Sequence, residues 1–375
     1  MTHTSLDILL TSTSYPADKL DWRGVFMRHM VTALARRDDV ALSVWAPPGP
    51  MPASVVHATT ERESRDLANL MAAGGVAHLL RQHPVRGVAA ATRIIRGLAR
   101  CYRQSTCDVY HVNWLQCALP LPNDSRPALV TVLGNDLRLM KMPGMRSALR
   151  RTFGARPTVL CPNADWMVPV LNEAFGDVAR VQAVPFGIDP RWFDVERTLQ
   201  TPSRWLAVTR LTLGKLGSLF DWAEPYFKDG SRVLDLIGPM QESIQVPSWV
   251  NYHGPAGADE IRTKWFPQSH GLITLSQHAE GRPQVMLEAM AAGLPIIATP
   301  IAAHTDLIAH GLTGWIAPDR DALAEGLTAL EDSARNRAVG QAAKSRIEHE
   351  MGTWDDCAER YVRQYRSVLE QGKRG

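Results

Sequence analysis

Cysteine is scarce and unpatterned, with five residues at positions 101, 107, 117, 161 and 357 of 375. An odd number without metal-knuckle or redox-pair spacing argues against a disulfide framework, and predicts reduced, mostly buried thiols. Charged residues make up only 21% of the chain and the net charge is +3, the composition expected of a soluble globular chain. No apolar run reaches membrane-spanning length. The opening MTHTSLDILLTSTSYP has neither the basic flank nor the long apolar core of a secretory signal, so a cytoplasmic chain is expected. Internal repeats and low-complexity tracts are absent as well. What remains is a hydrophobic content of 45% over 375 residues, enough for two domains of ordinary size.

The small net charge is unevenly spread. Residues 1–190 hold 21 Lys+Arg against 15 Asp+Glu, and two stretches carry the excess. One contains Arg81, Arg86, Arg93, Arg96, Arg100 and Arg103 among apolar residues; the other contains Arg138, Lys141, Arg146, Arg150, Arg151 and Arg156. Such surface is either a solvated helix face or a site for anionic lipid at the inner face of a membrane. Nothing in the chain reads as a nucleic-acid module.

The most informative stretch is GLITLSQHAEGRPQVMLEAMAAGLPIIAT, from Gly271 to Thr299. Gly271–Leu275 is a short apolar run suited to a buried parallel strand. A polar loop follows, and Pro283 suits the first turn of a helix that runs through Ala292, stops at Gly293 and is sealed by Pro295. Ile296–Thr299 is the next strand. Glu280 in the loop and Glu288 in the helix flank a helix N-terminus, where backbone N–H groups attract an anion. A phosphate there would have a carboxylate near each end, able to accept hydrogen bonds from sugar hydroxyls. The bland alternative is a loop charge and a solvated helix residue.

The wording EGRPQVMLEAMAAGLPIIAT closely resembles the E-x7-E signature of the retaining GT-B glycosyltransferases of group 1, family 4. That resemblance implies two Rossmann-like, doubly wound α/β domains of parallel sheet facing across a cleft. It also implies that Glu280 positions the transferring sugar and Glu288 holds the ribose. Gly281, Arg282, Pro283, Gln284 and Val285 would line the substrate between them. RLTLGK, 210–215, resembles the family's G-R-L-x-x-x-K-G element, which makes Arg210 and Lys215 the cations facing the donor diphosphate; Thr209 stands where the family has Gly. No metal and no cofactor are then expected.

Earlier in the chain the resemblance continues. Leu6–Leu10, the helix after Gly24 and Val40–Ala46 form a βαβ start in which Gly24 alone fills the role of a glycine pair near the substrates. In DVYHVNW, His111 and Trp114 resemble the strand end that the family places near the transferring sugar, and Asn113 replaces a second histidine. Gly134-Asn135-Asp136 resembles the T-x-H-G-x-D turn, with Asp136 either touching an acceptor hydroxyl or capping a turn. PFGID, 185–189, resembles the hinge between domains. After Thr299 the usual glycine pair is Ala302-Ala303, and Asp306 replaces Glu.

The expected organisation is residues 1–190 as an acceptor-binding domain and 204–352 as a nucleotide-sugar domain, with 353–375 as a helix crossing back. The expected activity is transfer of a hexose from a UDP- or GDP-type donor to a hydroxyl acceptor, with anomeric configuration retained. A carbohydrate or lipid-linked glycan of a bacterial surface polysaccharide is the expected acceptor. Alternatives are a sugar-nucleotide epimerase or hydrolase, a soluble-acceptor synthase, and a non-catalytic partner of the same fold.

Overall fold

The computed structural model describes residues 5–18, 21–278 and 280–372, with the side chains of Ala77 and Arg81 outside the described set. The chain divides into two compact units. Residues up to Phe186 form the first with the helix Trp354–Gly372, and Gly187–Thr353 form the second.

The first unit is built on seven parallel strands. These are β1 (Leu6–Thr11), β2 (Val40–Trp45), β3 (Val56–His57), β4 (Val109–Asn113), β5 (Ala128–Val132), β6 (Thr158–Pro162) and β7 (Arg180–Val181). Their order is β3-β2-β1-β4-β5-β6-β7. Both faces are covered, which is why the strands read as continuous apolar runs instead of alternating. Ile8, Leu10, Val109, Leu129 and Val159 point to one core. Leu9, Tyr110, Val112, Val130 and Leu160 point to the other. The helix Trp354–Gly372 closes the first core with Trp354, Cys357, Tyr361, Tyr365 and Val368, all buried.

The second unit repeats the plan with six parallel strands: β8 (Ser203–Val208), β9 (Arg232–Ile237), β10 (Val250–Tyr252), β11 (Gly271–Thr274), β12 (Ile296–Ala298) and β13 (Trp315–Ile316). Their order is β10-β9-β8-β11-β12-β13. In such a sheet the chain winds outward in both directions from the central pair. The loops leaving the carboxyl ends of β8 and β11 therefore part and open a crevice, the usual ligand position in doubly wound sheets. No described helix is long and apolar enough to cross a membrane.

Candidate functional site

The crevice of the second unit is formed by the turns after β8, β11 and β12. The turn after β8 leads into the short helix Leu213–Leu216, whose cap is Thr212: its hydroxyl accepts the Lys215 N–H at 3.3 Å. Arg210 precedes that cap, half-buried, with Nη1 at 3.5 Å from Gln241 Oε1. Gly217 ends the helix at φ 55°, and a Cβ there would lie 1.9 Å from the Leu275 carbonyl oxygen. Only glycine lets this turn rest on the loop after β11. Two further bonds fasten the loops together, Gln277 N–H to Gly214 O at 2.9 Å and Thr299 Oγ1 to Ser276 O at 2.6 Å.

This fastening brings Lys215 and Glu280 into an ion pair, their side chains 13% and 18% exposed. Burial pulls the Lys215 ammonium below its ordinary value, the Glu280 carboxylate opposes that, and the nearby Arg210 charge adds to the lowering. Two cations and one carboxylate thus share a partly dry crevice, where electrostatic interactions are stronger than in water.

Pro283 is the N-cap of the helix Gln284–Ala291, one residue outside it, and the helix begins directly after the Glu280 loop. The N–H groups of Gln284 and Val285 precede the first intrahelical bond. The Gln284 amide donates to Gly187 O at 3.4 Å, and its Oε1 is buried without a partner among the described residues. Glu288 lies one turn further along the same face, half-buried, and its carboxyl bonds to no other described residue. Burial, aided by the Asp189 charge, pushes that carboxyl up to about 8. Gly293 then closes the helix in the left-handed conformation, with Gly293 N–H to Met290 O and Leu294 N–H to Ala289 O. This is a Schellman end.

Arg282 does not turn its side chain toward a ligand. Its guanidinium is buried, paired with Asp306 and in contact with Met351 Sδ. The Asp that replaces the family's Glu is therefore a packing partner, and only the Arg282 main chain lies along the loop. The Ala302-Ala303 pair begins a helical turn, Ala302–Thr305, with right-handed backbone, so glycine is not required there. That turn carries His304, which the sequence reading passed over. It is fully buried, its Nδ1 lies 3.0 Å from Thr299 O, and its Nε2 has no partner among the described residues. The carbonyl fixes the proton on Nδ1 and leaves Nε2 as a bare acceptor. Burial lowers the ring's affinity for a proton, and the Glu280 and Lys215 charges both act on it, with opposite signs.

In the first unit the expected site residues are mostly consumed by the fold. Gly24 caps the helix Val25–Ala35 in the left-handed conformation, φ 70°. His111 corrects the expectation of a catalytic histidine. It is fully buried in β4, with Nδ1 at 2.6 Å from the Tyr365 hydroxyl and Nε2 at 2.9 Å from Thr131 Oγ1. Burial pushes its pKa down to about 3, so the ring is neutral and ties the last helix to the sheet. Asp136 takes the second of its two expected roles, capping a turn, and not the acceptor contact. Its carboxylate accepts the Leu133 N–H at 2.7 Å and the Leu115 N–H at 3.2 Å. Burial raises it to about 7 against the pull of those bonds. Gly134 is buried at the start of that turn. Asn113 is 1% exposed and donates to Thr11 O at 3.1 Å, with Oδ1 unpaired among the described residues.

Residues 230–333 match the family described as Glycosyl transferases group 1. The chain is 36% identical over 192 residues to the amylovoran biosynthesis glycosyltransferase AmsK of Erwinia amylovora, a match covering 46% of this chain and 47% of that protein. The chain thus spans about half the length of that relative. Among solved structures, sucrose-phosphate synthase from Thermosynechococcus elongatus superposes with a TM-score of 0.71 at 14% identity, covering 98% of this chain and 100% of the other. Anabaena HepE in complex with UDP gives 0.65 at 13% identity, covering 96% and 100%. The fold is that of the GT-B glycosyltransferases.

Proposed function

We propose that the protein is a retaining glycosyltransferase of family 4 that moves a hexose from a nucleotide-diphosphate sugar to a hydroxyl acceptor. The single observation that carries this reading is the Lys215–Glu280 pair beside Arg210, at the switch point of a doubly wound sheet and at the mouth of the Gln284–Ala291 helix. Departure of a nucleoside diphosphate leaves negative charge on the phosphate oxygen. Cations held in a partly dry crevice, together with the N–H groups of a helix start, stabilise that charge as it develops. In this reading Arg210 and Lys215 carry the diphosphate without a metal ion, and Lys215 exchanges Glu280 for phosphate when the donor enters.

Glu280, released from Lys215, then accepts hydrogen bonds from the transferring sugar. Glu288, whose carboxyl bonds to no other described residue, is available to the ribose hydroxyls. The sugar C1–O bond to phosphate breaks, a bond from C1 to the acceptor oxygen forms on the same face, and the acceptor proton passes to the departing phosphate oxygen. A UDP donor is favoured by the UDP complex of the HepE neighbour. A glycan acceptor, in polysaccharide biosynthesis, is favoured by the likeness to the amylovoran biosynthesis glycosyltransferase AmsK.

The test is thermal unfolding with saturating UDP, GDP, ADP or CMP, wild type beside Lys215→Ala. One diphosphate should raise the wild-type midpoint by several degrees and leave the variant unmoved, because only a ligand of the native state stabilises it. No shift with any nucleotide would remove the donor site.

A further inference from the structure

His304 is fully buried, yet only one of its ring nitrogens is engaged among the described residues. Nδ1 lies 3.0 Å from Thr299 O and 3.3 Å from Thr299 Oγ1. The carbonyl can only accept, so Nδ1 carries the proton and Nε2 presents a lone pair. No described residue donates to that lone pair. A buried acceptor without a donor is costly, and a bare one points to a donor that arrives in another state of the protein.

A run of hydrogen bonds across three loops ties the ring to the crevice. Thr299 Oγ1 donates to Ser276 O at 2.6 Å, and Ser276 Oγ donates to Gly214 O at 3.4 Å. Gly214 directly precedes Lys215 in the turn after β8. Lys215 has Glu280 as its one ion-pair partner among the described residues. An ammonium carries three N–H groups, so one carboxylate does not occupy them all. Glu280 and Lys215 are the charged groups that act on the His304 ring, and Glu280 and Arg210 those that act on Lys215. His278 borders Gly214 from the loop of Glu280, and Asp306 is turned to Arg282. A donor with N–H groups to give and an acceptor with none to receive therefore lie in one corner of the crevice.

We propose that His304 is a positioning residue that receives the Lys215 ammonium on Nε2 when a nucleoside diphosphate displaces Glu280. The proposal deepens the donor-site reading and rests on it. With Glu280 as its partner, Lys215 is held off the ring. With phosphate on one side, the ammonium needs a neutral acceptor on the other. A second carboxylate there would cancel the charge that phosphate is to meet, and a protonated imidazole would repel it. A neutral imidazole fixes the ammonium and leaves its charge whole. Burial disfavours the protonated ring and keeps His304 in that form.

The experiment has two arms, both on the full chain with UDP, or with GDP if UDP leaves wild type unmoved. In nitrogen-15 NMR of histidine-labelled wild type, the His304 Nε2 resonance should move upfield on saturation, as an imine nitrogen does on accepting a hydrogen bond. Calorimetric titration across the alkaline range then compares wild type, His304→Gln and His304→Asn. The Gln amide reaches the position of Nε2, whereas Asn reaches only that of Nδ1. His304→Asn should weaken the nucleotide about fivefold or more, because Lys215 loses a charge-assisted bond. Its alkaline fall in affinity should begin about half a pH unit lower, because that bond favours the charged ammonium. His304→Gln should bind close to wild type with its alkaline limb in place. A histidine that serves only the fold gives a different pattern: both variants weaken alike, or Asn alone preserves binding, and the limb stays where it was. Either pattern overturns the proposal, as does an unmoved Nε2 resonance with nucleotide bound, which needs no variant to fold. Binding to wild type with any of these results removes this proposal alone; no binding of either diphosphate removes the donor site and the proposal together.

Discussion

Glu280 and Glu288 have the same side chain and face different constraints. Glu280 is paired with Lys215, so its role is tested by its removal: Glu280→Ala should reduce turnover roughly tenfold or more while nucleotide still binds. Wild-type turnover in that variant would withdraw the assigned role. Glu288 has no such partner among the described residues and is held at about 8, against its ordinary 4.5. Between those values the folded chain keeps a proton that the unfolded chain releases. Its contribution to stability is therefore complete below 4.5 and is lost as pH rises through 8. Glu288→Gln should raise the unfolding midpoint relative to wild type at pH 9, and the gain should fade by pH 5; an equal difference at both would refute this. The E-x7-E run announced both carboxylates because it combines strand, loop and helix start in one continuous stretch. His111 was not legible in the same way. In a strand buried on both faces no alternation tells which way a side chain points, and the Tyr365 hydroxyl that takes its Nδ1 comes from 254 residues away.

Among the elements, strands of both sheets were legible as short apolar runs bounded by Gly or Pro, since parallel strands covered by helices have that composition. The two-residue strand β3 carries too few residues to show a pattern. The helical segment leading into β11 is one α-turn, Ala258–Glu260, that widens into a π-turn, Ile261–Trp265; residue periodicity does not separate the two. Contacts between loops were invisible as well, and the most consequential is the seat of Gly217 on the Leu275 carbonyl. Gly217→Ala should cost on the order of 1–3 kcal/mol in stability. It should also diminish the nucleotide-induced shift more than the same change at Gly230, where a Cβ meets nothing within 4 Å. Equal effects at the two sites, read by thermal unfolding with and without nucleotide, would show that the loop contact does not shape the crevice.

At the scale of the whole molecule, the first unit is made from two separated stretches of chain, residues up to Phe186 and the helix Trp354–Gly372. A chain ending at Thr353 should keep a cooperative second unit and lose that of the first. Without the helix, the core face of β1, β4, β5 and β6 has lost its cover, and His111 and Thr131 have lost the Tyr365 and Tyr361 hydroxyls. Limited proteolysis should then leave a resistant fragment close to 187–353; resistance of the first 186 residues as well would contradict the argument. The same discontinuity has a consequence for biosynthesis. On the ribosome the first unit is translated first but cannot be completed until the final helix has left the exit tunnel, so the intervening unit is free to fold ahead of it. For the time needed to translate those 167 intervening residues, about 8–33 s at 5–20 residues per second, a broad apolar sheet face waits uncovered. The nascent chain is a client for holding chaperones over that interval, and slowing translation between Gly187 and Thr353 lengthens its exposure.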